Sequence, residues 1–212
     1  MVKWMDRRIE VVVLLLILTV FMAACTGTNE QGQPQDEQQT EQAEPLNWEV
    51  PPFAAVDQNG TEVTLEDLKG KVWLADFIFT RCPDVCPPMT ANMTNVQQEL
   101  KEQGVDVEII SFSVDPEHDQ PEMLKKFAGN YDLSLDNWRF LSGYDQETIE
   151  SFAREGFKGD IKRVQDEEDK PLQINHPVSF FLVNPEGKVY ERYDGMDPDI
   201  DQMVKDIREI SS

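Results

Sequence analysis

The chain has 212 residues, of which 40% are apolar, 9% aromatic and 28% charged. That apolar content supports a packed core and excludes a wholly disordered chain or a fibrous repeat. With 41 acidic against 19 basic residues the net charge is −22. A surface so negative repels phosphate backbones, which argues against nucleic acid as a partner, but it leaves open attachment to a membrane through a hydrophobic anchor.

The N-terminal segment is a unit of its own. Lys3, Arg7 and Arg8 precede an uncharged apolar run from Val11 to Ala24. The run is short for a spanning helix, which needs about 20 residues, and fits the hydrophobic region of a secretory signal. It ends in Met22-Ala23-Ala24-Cys25. Small residues followed at once by cysteine resemble a bacterial lipoprotein cleavage site, at which Cys25 is lipidated and becomes the new N-terminus. An uncleaved anchor is the alternative, and both readings put the rest of the chain outside the cytoplasm. Residues 26–46 carry five acidic residues, no basic ones and almost nothing apolar, the composition of a solvated tether. The expected organisation is a signal peptide over 1–24, a lipidated cysteine and acidic tether over 25–46, and one globular domain over 47–212, lipid-anchored to the extracytoplasmic face of the cell membrane.

Within that domain, Phe53 to Val56 and Thr61 to Leu65 flank Asn59-Gly60 and predict a hairpin, followed by a helical turn at Glu66 to Leu68. Lys71 to Phe79 is nearly continuous apolar sequence, the pattern of a strand buried on both faces. After the prolines Pro87 and Pro88, the spacing of Met89, Met93, Val96 and Leu100 predicts a helix that stops at Gly104. A second apolar strand spans Val105 to Val114, a helix runs from Glu122 to Phe127, a short strand from Trp138 to Leu141 and a helix from Gln146 to Arg154. Residues 158–172 are highly charged and predict an exposed excursion. Val178 to Val183 and Lys188 to Tyr193 form a strand pair around the turn Asn184 to Gly187, and a helix from about Asp199 to Ile210 closes the chain. Alternating strands and helices with a terminal hairpin predict an α/β sandwich, in which sites lie beyond the carboxyl ends of the strands.

Cys82 and Cys86 stand at such a place, in Phe79-Thr80-Arg81-Cys82-Pro83-Asp84-Val85-Cys86-Pro87-Pro88. A disulfide closing so short a loop contributes roughly 2 kcal/mol of chain entropy, so chemistry is a better reason for the pair than stability. The helix N-terminus favours thiolate there, and Arg81 adds positive charge. Two such thiolates can form a disulfide, exchange with another protein, or chelate a soft metal. Of the two histidines, His118 lies in a polar loop and reads as solvated, with Asp119 capping the next helix. His176 opens the third core strand. A lone histidine is more often structural than a ligand, yet with two thiolates it would complete a set of two sulfurs and one nitrogen suited to Cu(I), and with an added oxygen to Cu(II). Asp115, at the end of the neighbouring strand, is placed to support the site from behind. Met89 and Met93, spaced i, i+4, read as core.

These residues resemble the SCO/SenC proteins, named for synthesis of cytochrome c oxidase. The strand leading into FTRCPDVCPPMT, the segment SVDPEHDQPEML and the histidine of HPVSFFLVNPEGKV stand in that family's order, over roughly residues 50–210. The resemblance implies a thioredoxin-like three-layer sandwich with a central mixed sheet. It implies copper held by Cys82, Cys86 and His176, and a role as a copper-binding assembly factor for the copper A centre of cytochrome c oxidase subunit II, the copper coming from a separate donor. The alternative it carries is a membrane-tethered thiol–disulfide oxidoreductase that reduces the cysteines of that centre, with Cys82 and Cys86 as a redox pair served by a thiol reductant. An ordinary thioredoxin motif is absent, since three residues separate the cysteines and no tryptophan precedes Cys82. A peroxidase motif is absent too, because Pro83 occupies the position three before Cys86 where threonine is required. Pro177 departs from the family pattern, in which a small polar residue more often follows the histidine.

Overall fold

The computed structural model describes residues 44–164 and 172–211; the signal-peptide segment, Cys25, most of the tether and the middle of the charged excursion lie outside them. The strands are β1 (Trp48–Glu49), β2 (Ala54–Asp57), β3 (Glu62–Thr64), β4 (Trp73–Ile78), β5 (Glu108–Ser113), β6 (Trp138–Ser142), β7 (Lys162–Val164), β8 (Gln173–Asn175), β9 (Ser179–Val183) and β10 (Lys188–Asp194). The helices are α1 (Cys86–Glu102), α2 (Pro121–Ala128), α3 (Gln146–Phe157) and α4 (Ile200–Ile210), with a 3-10 turn at Leu65–Leu68. Eight strands form a mixed sheet in the order β1-β10-β9-β4-β5-β6-β2-β3, and β7 and β8 form a separate two-stranded sheet. This is the α/β architecture that the alternation of elements predicts.

The hydrophobic run that predicts a central strand becomes β4, all six of whose residues are buried. It pairs in parallel with β5, from Trp73 opposite Glu108 to Ile78 opposite Ser113, and antiparallel with β9. Because side chains alternate along a strand, β4 builds two different layers. One face carries Phe77, whose ring contacts Phe112, Phe157 and Phe181 at centroid distances of 5.8, 5.3 and 6.2 Å; Phe157 brings α3 onto this face. On the opposite face Asp76 stands beside Ser111, whose hydroxyl accepts a 2.9 Å hydrogen bond from Trp138 Nε1. Trp138 stacks on Phe140, which contacts Phe127 of α2.

Helix α1 begins at Cys86, and Pro87 is tolerated because the first turn has no intrahelical partner for its missing N–H. Its stripe of Met89, Met93, Val96 and Leu100 is buried, as the i, i+4 spacing predicts for core residues. The hairpin of β2 and β3 turns through Gly60 at φ +81°, a conformation natural to glycine. Ordered pairing reaches back to Leu46, whose N–H donates to Tyr190 O at 3.0 Å.

The charged excursion is more structured than its composition predicts. Lys162, Arg163 and Val164 are exposed but pair with Asn175, Ile174 and Gln173, and the flanking Ile161, Leu172 and Ile174 are buried. Charge density read along the chain does not report a cross-strand partner about ten residues away.

Asp76 is the costly residue of the sheet. It is fully buried, and neither carboxylate oxygen has a hydrogen bond of ordinary geometry. Burial pushes its pKa up from 3.8 to about 7, against the opposing pull of Ser111 and His176. The unfolded chain gives up this proton near pH 4 and the folded chain holds it to about pH 7. The stabilising contribution is therefore complete in acid and is lost as pH rises through that window, a change of about 4 kcal/mol. Asp76→Asn removes the charge, so unfolding in urea should show the variant more stable than wild type by roughly 2–4 kcal/mol at pH 8, with the difference shrinking toward pH 4. A difference independent of pH would contradict this assignment.

Candidate metal centre

The cysteine pair lies where β4 ends and α1 begins. Phe79 O accepts from Cys82 N at 3.2 Å, closing the turn after the strand. Thr80 is pinned from the neighbouring strand end by Asp119, which accepts from Thr80 N at 3.0 Å and from Ser113 Oγ at 2.6 Å. Arg81 Nε donates to Asp115 Oδ2 at 2.7 Å. Two carboxylates from one segment of the β5–α2 connection thus hold the loop at consecutive residues, directly before Cys82.

Asp119 does not cap a helix, as its sequence context predicts. Gln120 is the N-cap of α2, without a side-chain cap, and Asp119 is fully buried against Thr80 and Ser113. The available signal was the Asp115-x-x-x-Asp119 spacing directly after a strand parallel to the cysteine-bearing one, which puts both acids opposite Thr80 and Arg81. Asp115 is likewise fully buried and lies behind the cysteine loop, bonded to Arg81 and also to Arg163. Burial alone would push its pKa up, but the two guanidinium groups outweigh that and hold it below the ordinary carboxylate value. Burial raises the Asp119 pKa, against its hydrogen bonds from Ser113 and Thr80.

Cys82, Cys86 and His176 converge. Their donor atoms all lie within 4.8 Å of one another, the one such group of histidine, cysteine and acidic residues among those described. Both cysteines are free thiols, Cys82 half-buried and Cys86 fully buried. Cys86 Sγ is 3.4 Å from His176 Nε2. The imidazole keeps 9% of its surface exposed, and its edge-to-face contact with Phe79 has a centroid distance of 5.9 Å. His176 Nδ1 is 3.0 Å from Pro177 O. A carbonyl only accepts, so Nδ1 donates to Pro177 O, and Nε2 is the ring nitrogen that faces the sulfurs. Pro177, the residue that departs from the family pattern, thus supplies through its carbonyl the acceptor for Nδ1.

The two thiols share one negative charge unevenly. Cys82 Sγ accepts from Cys86 N at 3.4 Å, at the start of α1. The Cys86 thiol beside it, helped by His176, holds the Cys82 pKa far below the usual thiol value despite partial burial. Cys86, facing that thiolate and buried, is pushed far up. The helix N-terminus therefore stabilises a thiolate on Cys82, the residue that precedes the helix. Two soft sulfurs and one imidazole nitrogen form a donor set that fits Cu(I) and lacks the fourth ligand of a closed zinc site.

A cleft of about 370 Å³ opens beside the trio, with Phe79, Cys82 and Val85 on one wall and Ile174, His176 and Val178 on the other. A larger cleft of about 500 Å³ between the end of α1 and residues 132–137 contains neither cysteine nor histidine. His118 stands half-buried in the β5–α2 connection, outside the converging trio.

A sequence model of the SCO1/SenC family matches residues 40–212. The SCO1 protein homolog of Bacillus subtilis is 48% identical over 197 residues, covering 92% of this chain and 94% of that protein. The solved structure of BsSco, a member of the Sco family of cytochrome c oxidase assembly proteins, superposes with a TM-score of 0.72 at 51% identity, covering 79% of this chain and 96% of the other. A SCO1/SenC family lipoprotein from Bacillus anthracis gives 0.73 at 40% identity, over 79% and 98%. Bradyrhizobium japonicum ScoI with copper bound gives 0.65 at 27% identity, over 76% and 99%. The fold is that of the thioredoxin-like Sco structures.

The charge distribution has a direct readout. Iodoacetamide should modify Cys82 at its plateau rate already at about pH 6 and leave Cys86 unmodified up to about pH 9, as followed by peptide mass mapping. Cys86→Ala removes the group that chiefly lowers the Cys82 pKa, so the half-maximal pH for alkylation should move up. An unmoved profile would contradict the sharing of charge.

Proposed function

The chain belongs to the SCO1/SenC family, and on that footing we propose that it is a copper-binding assembly factor that carries copper on Cys82, Cys86 and His176 and helps build the copper A centre of cytochrome c oxidase subunit II. The observation that carries this reading is the convergence of two thiol sulfurs and one imidazole nitrogen within 4.8 Å at the mouth of an open cleft. The copper-bound relative and the relative grouped with cytochrome c oxidase assembly proteins support it. Copper is cargo here, and the protein must both hold it and give it up. Cys86 and His176 supply the buried part of the set. Cys82, half-exposed and ionised at neutral pH, is the donor that a partner's thiolate can replace, so transfer proceeds by ligand exchange from the cleft side.

The same thiolate supports a second reading, reduction of the partner's disulfide. Cys82 would attack one sulfur, forming a mixed disulfide and releasing a partner thiolate. Cys86, on losing its proton, would then attack Cys82 Sγ, expel the second partner thiol and close the Cys82–Cys86 bond. Two electrons pass to the partner, and a separate dithiol reductant restores the pair.

For location we propose the lipid-anchored arrangement: a signal peptide over 1–24, lipid on Cys25, the acidic tether to 46 and the domain over 47–212 outside the cytoplasm. The lipoprotein relative supports it.

The reduced protein should retain one copper per chain, with a thiolate-to-Cu(II) absorption that changes in His176→Ala. Cys82→Ala and Cys86→Ala should each lose stoichiometric retention through gel filtration. A single-cysteine variant that keeps one equivalent would overturn the copper reading, and no retention by wild type together with rapid disulfide cycling would favour the reductase. For the anchor, Cys25→Ser should leave the protein unprocessed and without lipid by intact-mass analysis; normal processing and membrane attachment would point to an ordinary anchor.

A further inference from the structure

His176 lies in the short connection between β8 and β9, so the chain on one side of it leads through Pro177 and Val178 into the main sheet and on the other side belongs to an element that sheet does not hold. His176 follows β8 directly, and β8 pairs only with β7, in a two-stranded sheet separate from the eight-stranded one. The hairpin is seated by the buried Ile161, Leu172 and Ile174. Such apolar contacts are non-directional and set its distance from the body better than its orientation. All three residues of β7 are exposed, so burial gives that strand no reason to take one position.

Among the described residues, a charged contact from the hairpin to the body supplies direction. Arg163, in the middle of β7, donates from Nη2 to Asp115 Oδ1 at 2.6 Å. The arginine side chain is 33% exposed and the carboxylate is fully buried. Across the hairpin Arg163 stands opposite Ile174, two residues before His176. The other oxygen of the same carboxylate takes Arg81 Nε, from the residue preceding Cys82. A single buried carboxylate therefore bridges the loop that carries one ligand and the hairpin that carries another. Charge-assisted bonds to a desolvated acceptor are short and directional, which suits them to fixing orientation. A second contact lies at the hairpin's base. Gly159 packs so closely on Pro177 that a Cβ there would come within 2.2 Å of Pro177 Cγ, so a side chain at 159 would displace the residue next to His176.

We propose that Arg163 is a positioning residue for His176: bonded to Asp115, it orients the β7–β8 hairpin so that the imidazole Nε2 stays over the cysteine pair. The proposal rests on the reading of Cys82, Cys86 and His176 as the copper donors. Without Arg163 the two cysteine sulfurs remain in place, Asp115 keeps Arg81, and the imidazole loses its fixed place in the donor set.

The test compares wild type with Arg163→Ala, Arg163→Lys and His176→Ala as the full chain. In the copper-free reduced protein, the ring signals of His176 in proton–nitrogen correlation spectra should shift or broaden in Arg163→Ala and return toward wild type in Arg163→Lys. After copper loading, Arg163→Ala should release Cu(I) to a chelator roughly tenfold faster than wild type, the scale of one hydrogen bond to a buried charge. Its Cu(II) spectrum should move toward that of His176→Ala. Ring signals identical to wild type in Arg163→Ala would overturn the proposal whether or not copper binds. Shifted ring signals in a wild-type background that holds no copper would uphold the positioning role and overturn the copper reading instead. Should Arg163→Ala fail to fold, Arg163→Gln is read in the same way, and unmoved His176 ring signals there would overturn the proposal.

Discussion

The in-register parallel pairing of β4 with β5 brings the carboxyl ends of two buried strands side by side, and the site is built on what leaves those two ends. From one come Thr80, Arg81 and Cys82; from the other come Asp115 and Asp119, which bond to Arg81 and Thr80 in turn. An antiparallel neighbour would present its opposite end and no such acids. Because both strands are buried on both faces, this register has little freedom to slip, since a shift of one residue would exchange the Phe77 face with the Asp76 face.

The polar groups at this end are buried in a chain whose net charge is −22, and they persist because each negative charge has a donor. Asp115 has two guanidinium groups, Asp119 has a hydroxyl on either side and a backbone N–H, and the Cys82 thiolate has the first N–H of α1 and the neighbouring thiol. Asp76 is the exception, with no hydrogen bond of ordinary geometry, and it meets burial by holding its proton up to about pH 7 instead. Removing one partner from such a set leaves a buried charge exposed to the full desolvation penalty, so these contacts act as a unit.

The trio of donors is assembled from two parts of the fold. The cysteines sit between a strand and a helix of the main fold. The histidine comes from the connection between the small sheet and β9, and among the described residues the small sheet is seated by buried apolar side chains and by the carboxylate that Arg163 shares with Arg81. The cysteine pair defines the place of the donor set, and the third donor arrives on the connection that joins the small sheet to the main one.

Much of this was legible along the chain. The buried strand at 71–79, the helix stripe from Met89 to Leu100 and the turn at Asn59-Gly60 follow from local periodicity and from residues with few backbone options, so they need no knowledge of partners. The sequence by itself also determined the donor types, because only two cysteines outside the N-terminal region and two histidines exist to choose from. The polar loop around His118 and the core strand after His176 favour the latter locally, but assigning it as a ligand took the family resemblance or the fold. The roles of Asp119 and Arg163 were decided by tertiary structure alone. Each makes its defining bond to a residue 39 or 48 positions away. Such a bond depends on strand order and on the path of the chain between elements, which local patterns do not encode; the same residues, read locally, look like a helix cap and a solvated charge.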